Sequence, residues 1–254
     1  PAQSALAGSG AGTLYGVDIG AGAGAPARPL EINRQSVRAV VRSGFAETEV
    51  DQTFFNPGDR AVEGWYWFTV PEGASITSFA LETNGALIEG ELIERREAQA
   101  QYGRAVQQGN DPALLEWIDG RTYRARIYPV PNGGTRRVVV RYLELLPMVG
   151  GRIRYVYPMQ ARRPVRIGEF SLAIDLGDAG RGMAITTLAE ARVEDEGRRV
   201  TMRRSGYTPR ADFQLEGTPK KQGRPVTVSR FQAGNDAADY LMMRYLPDVD
   251  WGKF

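Results

Sequence analysis

Three glutamates, Glu94, Glu97 and Glu116, are the residues of this 254-residue chain that come nearest to a catalytic carboxylate pair. Two carboxylates that flank a bound sugar can hydrolyse a glycosidic bond, one as an acid and the other as a base or nucleophile. Glu94 and Glu97 fall within a helix-like pattern, however, where exposed glutamates usually keep a helix soluble or cap it. We therefore predict no catalytic residue and no enzymatic activity.

The amino-acid composition removes several other kinds of chemistry. The chain has neither histidine nor cysteine. Ser-His-Asp and Cys-His catalysis, His-ligated zinc or haem, disulfides and iron–sulfur clusters are therefore excluded. The glycine-rich run at residues 20–24 is no phosphate loop, because it lacks the terminal Lys-Ser/Thr pair. We expect no cofactor and no metal ion.

Three tryptophans could offer flat faces on which a sugar ring stacks, namely Trp65, Trp67 and Trp117. Trp65 and Trp67 alternate with Tyr66 and Phe68 in an apolar strand pattern, which favours packing in the core over an exposed groove. A carbohydrate-binding or carbohydrate-processing surface module, built on acidic residues and tryptophans, is the alternative function that these residues leave open.

Charge is strongly segregated along the chain. The segment from Phe45 to Asp119 carries a net charge of −10, and the segment from Arg121 to Arg166 carries +10. We favour pairing of the two segments in one sandwich, with cross-strand ion pairs worth roughly 0.2–1 kcal/mol each. The alternative is an arginine face that binds an anionic polymer or the acidic patch of another subunit. That face would consist of Arg124, Arg126, Arg136, Arg137, Arg141, Arg152 and Arg154.

The elements that must position these residues are mostly strands. From Leu30 onward apolar and polar residues alternate, as where Val37 and Val41 alternate with Arg38 and Arg42, which is typical of antiparallel strands with one wet face. Residues 1–29 are dominated by Ala, Gly, Ser and Pro and predict a flexible leader or linker. Within that leader, the islet from Leu14 to Val17 could dock as an edge strand.

One stretch, residues 93–108, has helical spacing, with Tyr102 on its apolar face. After it, Leu114 and Trp117 are predicted to return to the core. We expect Trp65, Tyr102 and Leu114 all to enter the interior of a single sheet-built body that this helix braces. Beyond Pro147 the chain again reads as strands, with no helix pattern and with a boundary near the Gly150-Gly151 pair.

An ordered series of short motifs connects residues 30–146 with a known family. The motifs are Gln52-Thr53-Phe54-Phe55-Asn56-Pro57, Pro71-Glu72-Gly73-Ala74, Gly90 with Glu94-Arg95, Ala113-Leu114-Leu115-Glu116, and the closing Val138 to Leu145. In this order and spacing they resemble the VIT domain, the module that precedes a von Willebrand A domain in inter-alpha-trypsin inhibitor heavy chains and in many bacterial surface proteins. One departure is Asn110-Asp111-Pro112 in place of the commoner Lys-Thr-Ala.

The resemblance implies a mainly β fold class: a VIT-type antiparallel β-sandwich with one short α-helix, followed by a second β-sandwich-like domain. We expect a flexible leader at 1–29, a VIT domain at 30–148, and at 149–254 the β-rich segment that precedes an A domain. The Asp-x-Ser-x-Ser metal motif of A domains does not occur in this sequence. The A domain itself is therefore expected outside this segment.

The function that the resemblance implies is a non-enzymatic, exported scaffold or adhesion-type protein of the periplasm or cell surface. It would support a von Willebrand A domain and contact proteins or polymers. The expected partners are another protein or a second copy of the chain, with an anionic polysaccharide as a further partner, no nucleic acid, and a membrane only through an anchor outside this segment. A cytosolic assembly factor, as vault-protein members of the family suggest, is a third hypothesis.

Overall fold

The computed structural model describes residues 12–22, 25–83, 85–94, 114–149, 151–160, 165–219, 226–232 and 239–245. Within these ranges the chain is mainly β, as predicted from the sequence. A short helix, α1 (Gly177–Arg181), follows the fourteenth strand, and a 3-10 turn occupies Asp195–Gly197. The strands β1 to β20 are, in chain order, Thr13–Asp18, Arg28–Pro29, Glu31–Arg42, Phe45–Phe55, Val62–Thr69, Ser75–Thr83, Ala86–Glu89, Glu91–Glu94, Leu114–Asp119, Thr122–Val130, Thr135–Leu145, Met148–Val149, Arg152–Tyr157, Ile167–Asp175, Met183–Thr187, Arg192–Glu194, Arg199–Tyr207, Phe213–Pro219, Val226–Gln232 and Asp239–Tyr245.

The described strands form three larger sheets and a hairpin. Sheet I has the order β2-β1-β5-β10-β9-β8, and sheet II has the order β16-β17-β14-β3-β4-β11-β6-β7. Sheet III has the order β12-β13-β18-β15, and β19 pairs with β20 as a two-stranded hairpin. Neighbouring strands run antiparallel, except that β3 pairs parallel with β14 and β8 pairs parallel with β9.

Alternation of side chains gives sheet II one buried face. In β3, Val37, Ala39 and Val41 are buried, whereas Arg38 and Arg42 are exposed, as the sequence predicts. Burial of such an apolar face, at roughly 25 cal/mol per Å² removed from water, is the main source of stability for a sheet of this kind.

Aromatic rings join sheet I to the buried face of sheet II. Phe54 of β4 meets Tyr66 of β5 edge to face, with ring centroids 5.8 Å apart. Phe68 of β5 lies 6.1 Å from Tyr142 of β11. All four rings are buried, so the two sheets enclose a common core.

A chain of buried hydrogen bonds links all three sheets. The Tyr66 hydroxyl of sheet I donates to Oε1 of Gln52 in sheet II at 3.0 Å, and Nε2 of Gln52 donates to Oε1 of Gln35 at 3.0 Å. Nε2 of Gln35 then donates to the Tyr157 hydroxyl of sheet III at 2.8 Å. Gln52 also donates to the carbonyl of Gly12. These side chains are at most 1% exposed, and buried polar groups of this kind need such partners.

Sheet II continues across the boundary that the sequence suggests near residues 148–149. Strand β14 lies against β3 with Leu172 opposite Val37, and β17 and β16 extend the sheet further. The later segment therefore covers an edge of β3 that would otherwise present unpaired backbone groups. The two segments therefore share sheet II and do not form two independent sandwiches.

The flexible leader expected for residues 1–29 is interrupted by a strand, so that prediction is wrong for Thr13–Asp18. Strand β1 pairs antiparallel with β5 over its full length, and Leu14 is completely buried. Docking of the islet from Leu14 to Val17 is the alternative that the structure bears out. The physical reason is that Leu14 and Tyr15 bring apolar surface to a strand edge that offers backbone partners.

The helix expected at 93–108 lies almost entirely outside the described residues. Its first two positions, Ile93 and Glu94, belong to β8. Residues 95–113, with Tyr102, are not among those described, and neither is the side chain of Leu114. The helix that the structure does show, α1, has five residues and is too short to leave a helical period in the sequence.

The hydroxyl of Tyr157 is expected to contribute measurably to the stability of the fold. Tyr157→Phe leaves Nε2 of Gln35 buried without this acceptor, and we expect it to lower the free energy of unfolding by about 1–3 kcal/mol. Tyr207→Phe is the matched control, since Tyr207 is partly exposed, and we expect a change within about 0.5 kcal/mol. Urea unfolding at pH 7 measures the free energy of unfolding of both variants. Equal effects would show that the chain of buried hydrogen bonds contributes no stability.

Candidate interaction surfaces

The seven arginines predicted as an anion-binding face lie on three different sheets. They are divided between β10 of sheet I (Arg124, Arg126), β11 of sheet II (Arg136, Arg137, Arg141) and β13 of sheet III (Arg152, Arg154). All of these except Arg136 form an ion pair within the described part of the chain. Arg136 donates to the carbonyl of Thr135. The seven are therefore distributed over three sheets, and six of them already have a carboxylate partner.

The outer face of sheet II carries a ladder of ion pairs. Asp51 of β4 binds Arg137 of β11 at 2.9 Å and Arg34 of β3 at 3.2 Å. Glu49, two residues along β4, binds Arg141 of β11 at 2.8 Å. The hydrogen bond that Arg137 donates to Asp51 is the main cause that raises the pKa of Arg137. The pairing of acidic and basic segments that the charge pattern favours is thus confirmed here.

A buried arginine organises the outer face of sheet I. The guanidinium of Arg124 lies 4.7 Å from the ring centre of Trp65 and 5.4 Å from that of Trp67. Its Nη2 is 2.5 Å from Oε2 of Glu116, and the two side chains are only 6% and 11% exposed. Register explains the cluster, because Arg124 lies opposite Trp67 on one side and opposite Glu116 on the other.

The neighbouring arginine repeats this arrangement closer to solvent. Arg126 forms an ion pair with Glu63 and stacks 5.2 Å above the ring of Trp65. Burial is the main cause that lowers the pKa of Arg126. The outer face of sheet I is therefore made of arginines that are already paired with carboxylates and stacked on tryptophans.

The three tryptophans do not share a groove. Alternation sends Trp65 and Trp67 to the face of sheet I opposite the core, where Trp67 is buried and Trp65 is partly buried. Trp117 lies opposite Tyr123 in the register, on the other face, and is 52% exposed. The prediction that Trp65 enters the core is wrong, because Trp65 alternates with the core residues Tyr66 and Phe68 and so lies on the opposite face of sheet I. The prediction that Trp117 packs in the core is also wrong, since more than half of this side chain is exposed.

The described residues bring no catalytic carboxylate pair together. Glu116 is occupied by Arg124, Glu94 belongs to β8, and Glu97 lies outside the described residues. Within the described ranges there is also no group of three or more acidic side chains that could hold a metal ion.

A cleft near the end of β11 contains an acidic residue that our sequence analysis did not single out. Glu144 is 5% exposed, and no donor within the described residues reaches its Oε1. Burial raises the pKa of this carboxyl from 4.5 to about 7. A signal was present in the sequence, since Glu144 is the sole acidic residue between Arg121 and Arg166 and continues the apolar alternation of Val140 and Tyr142.

The β19–β20 hairpin presents an apolar face to solvent, which we call the hairpin face. The register places Val226 opposite Tyr245 and Val228 opposite Met243 on that face, with Leu241 beside them. These five side chains are 40–71% exposed. On the other face, Nη2 of Arg244 donates to the carbonyl of Leu146 at 2.7 Å and so attaches the hairpin to the rest of the structure.

Comparison with protein families identifies the centre of the chain. The model of the vault protein inter-alpha-trypsin domain, abbreviated VIT, matches residues 32–142. Residues 32–142 form a VIT domain. The match extends from the start of β3 into β11, so the VIT domain contributes β5, β10, β9 and β8 of sheet I and β3, β4, β11, β6 and β7 of sheet II.

Relatives of this VIT domain are much longer proteins. Inter-alpha-trypsin inhibitor heavy chain H3 of Rattus norvegicus is 30% identical over 139 residues, which are 54% of this chain and 16% of that protein. Human heavy chain H4 is 32% identical over 120 residues, 46% of this chain and 13% of that protein. The chain thus spans less than a fifth of the length of these relatives.

One solved structure with a similar arrangement of strands is an M1 zinc metallopeptidase from Deinococcus radiodurans. It is 10% identical, with a TM-score of 0.39 over 89% of this chain and 50% of that chain.

No helix among the described residues is long and apolar enough to cross a membrane.

The buried ion pair of the VIT domain should be worth far more than its exposed counterpart. Glu116→Gln leaves the Arg124 guanidinium without its carboxylate, and we expect a loss of about 3–5 kcal/mol in the free energy of unfolding. Glu49→Gln removes an acid that faces solvent beside Arg141, and we expect less than about 1 kcal/mol. Chemical denaturation of the two variants and the parent measures this difference. Similar losses would contradict the assignment of Arg124 as a buried charge.

Glu144 should make the protein less stable as the pH rises. The folded form keeps its proton up to about pH 7, whereas the unfolded form loses it near 4.5. The stabilising contribution is therefore complete below about pH 4.5 and is lost as the pH rises to about 7, by about 3 kcal/mol in total. Glu144→Gln should abolish this decline, and Glu72→Gln, at an exposed site, should keep it. Unfolding free energies between pH 4.5 and 8.5 test this, and parallel curves for parent and Glu144→Gln would contradict it.

Proposed function

We propose that this chain is a non-enzymatic, exported scaffold whose VIT domain and following strands support a von Willebrand A domain and make protein–protein contacts. The observation that carries the proposal is the hairpin face. A two-stranded ribbon has little stability alone, and an apolar face on such a ribbon gains stability when a partner covers it. The described structure places that face outward and attaches the opposite face through Arg244.

The choice of partner comes from the family. The VIT domain resembles the module that precedes A domains, and the hairpin lies at 226–245, after the VIT domain in the chain. A chain that continues beyond the hairpin into an A domain would bring that domain close to the exposed side chains of Leu241, Met243 and Tyr245. The hairpin face would then become part of the interface between the two domains.

Export and polymer contacts belong to the same proposal. A chain without cysteine suits an oxidising compartment, because it has no thiol that could form an unwanted disulfide. On the outer face of sheet II four arginines surround two carboxylates, and we expect an anionic polymer to bind at this arginine cluster. The six residues are Arg34, Arg38, Arg137, Arg141, Glu49 and Asp51.

Hydroxyl-radical footprinting should show whether the hairpin face is an interface. We expect Met243 and Tyr245 to be labelled at least about five-fold more slowly in the complete product of the reading frame than in this 254-residue chain, because a partner domain would exclude solvent from them. Leu188 is the control, since it is 75% exposed and lies on a turn away from the hairpin, and its labelling should not change.

The reading frame itself provides the second arm of this test. We expect it to encode a secretory leader upstream and an Asp-x-Ser-x-Ser motif downstream. Unchanged labelling of Met243 in a product that contains an A domain would refute the hairpin face as the contact. A frame with neither leader nor A domain would refute the exported scaffold.

A further inference from the structure

The cleft beside Glu144 lies between the VIT domain and the segment that follows it. On one side are Val70 and the turn at Pro71-Glu72, and on the other are Val156 of β13 and Pro158. The cleft measures about 420 Å³, within the range of pockets that bind small molecules or single side chains. Its walls are largely aliphatic, with Pro147 completing them. Such walls suit an apolar stem, by which we mean the short hydrocarbon chain of a ligand.

Glu144 is the feature of this cleft that calls for a ligand. Glu144 is 5% exposed, and its Oε1 meets no donor in the described structure. Burial of the carboxylate therefore costs desolvation free energy that no hydrogen bond to this oxygen offsets. Proteins normally satisfy such an atom with a hydrogen-bond donor or a cation. A cation that enters the cleft and lies beside the carboxyl group would supply the compensation that the described residues do not.

The other charged groups of the cleft are either occupied or at its rim. Oδ1 of Asp212 accepts hydrogen bonds from the backbone amides of Met159 and Gln160, each at 2.8 Å. Arg154 is paired with Glu216 at 2.7 Å. Glu72 and Arg121 are exposed at the rim. Glu144 is therefore the carboxylate that remains for a ligand in the buried part of the cleft.

We propose that this cleft binds a primary ammonium group on a short apolar stem, with the Glu144 carboxylate as its counter-ion. The ammonium compensates the charge of the buried carboxylate, and the stem packs against Val70, Val156 and the prolines. The same chemistry could come from a lysine side chain of a protein partner or from a free alkylamine. This inference does not depend on the hairpin face.

The affinity of the cleft should depend on pH through Glu144. Because the carboxyl of the empty protein has a pKa of about 7, ammonium binding should weaken on the order of 30-fold from pH 8.5 to pH 5.5, where the carboxyl is protonated. The amine itself stays protonated throughout this range. The charged and titratable groups that face Glu144 or line its cleft are Glu72, Arg121, Tyr142, Arg154, Tyr155 and Asp212.

Ligand-observed NMR titrations with the whole 254-residue chain test the proposal. The probes are n-butylammonium, N-acetyl-lysine methylamide as a model of a protein side chain, and n-butanol as the uncharged control. At pH 8.5 we expect both ammonium compounds to bind and n-butanol to bind at least about ten-fold more weakly. Glu144→Gln should reduce ammonium binding at least about ten-fold. Glu31→Gln is the control, since Glu31 is exposed at the opposite end of sheet II and does not line the cleft, and it should leave binding within about two-fold.

The outcomes distinguish the two sources and can overturn the proposal. Tighter binding of the lysine derivative would support a protein lysine, and tighter binding of n-butylammonium would support a free amine. No ammonium binding by the parent, equal binding of n-butanol, or undiminished binding by Glu144→Gln would overturn it. The pH dependence of the parent decides the question independently of any variant, since binding that does not change between pH 5.5 and 8.5 would also overturn it.

Discussion

The hydrogen bond between Gln35 and Gln52 is the constraint on which the rest of the structure depends. The two amides lie opposite each other on β3 and β4, at the buried face of sheet II, and each reaches a tyrosine of another sheet. A slip of one residue between β3 and β4 would turn one of the two amides toward the opposite face and break its contact with sheet I or sheet III. An unpaired buried amide costs about 1–3 kcal/mol, so register and sheet placement are fixed together.

The charged side chains lie in a different part of the structure from the buried amides of Gln35 and Gln52. The acidic and basic segments neutralise each other on the outer faces, where Arg137 and Arg141 meet Asp51 and Glu49, while Arg124 is held between tryptophans and Glu116. Most of the arginines that looked available for an anionic partner are thus engaged within the protein. The described surfaces that we propose for partners are the arginine cluster on the outer face of sheet II, the hairpin face and the cleft of Glu144.

Local patterns in the sequence predicted the strands of this protein better than they predicted its long-range contacts. Alternation around Val37 and the opposite charges of two segments were sufficient to predict strands and their ion pairs. The parallel pairing of β14 with β3 joins residues more than a hundred positions apart, and no local pattern encodes it. Strand β1 gives only a weak signal in the sequence, because Leu14 and Tyr15 are isolated apolar residues in an Ala- and Gly-rich segment. Glu144 was missed because a single acidic residue among arginines reads as a solvated charge.

The central claim is that Gln35 and Gln52 join the three sheets, and with them the VIT domain and the later strands, into one cooperative unit. Native-state hydrogen exchange of the parent chain in increasing denaturant tests it most directly. The account predicts that the most protected amides of β5, β4 and β13 converge on one opening free energy and the same denaturant dependence, as in global unfolding. Separate opening of β13 at a lower free energy, while β4 and β5 stay protected, would contradict it.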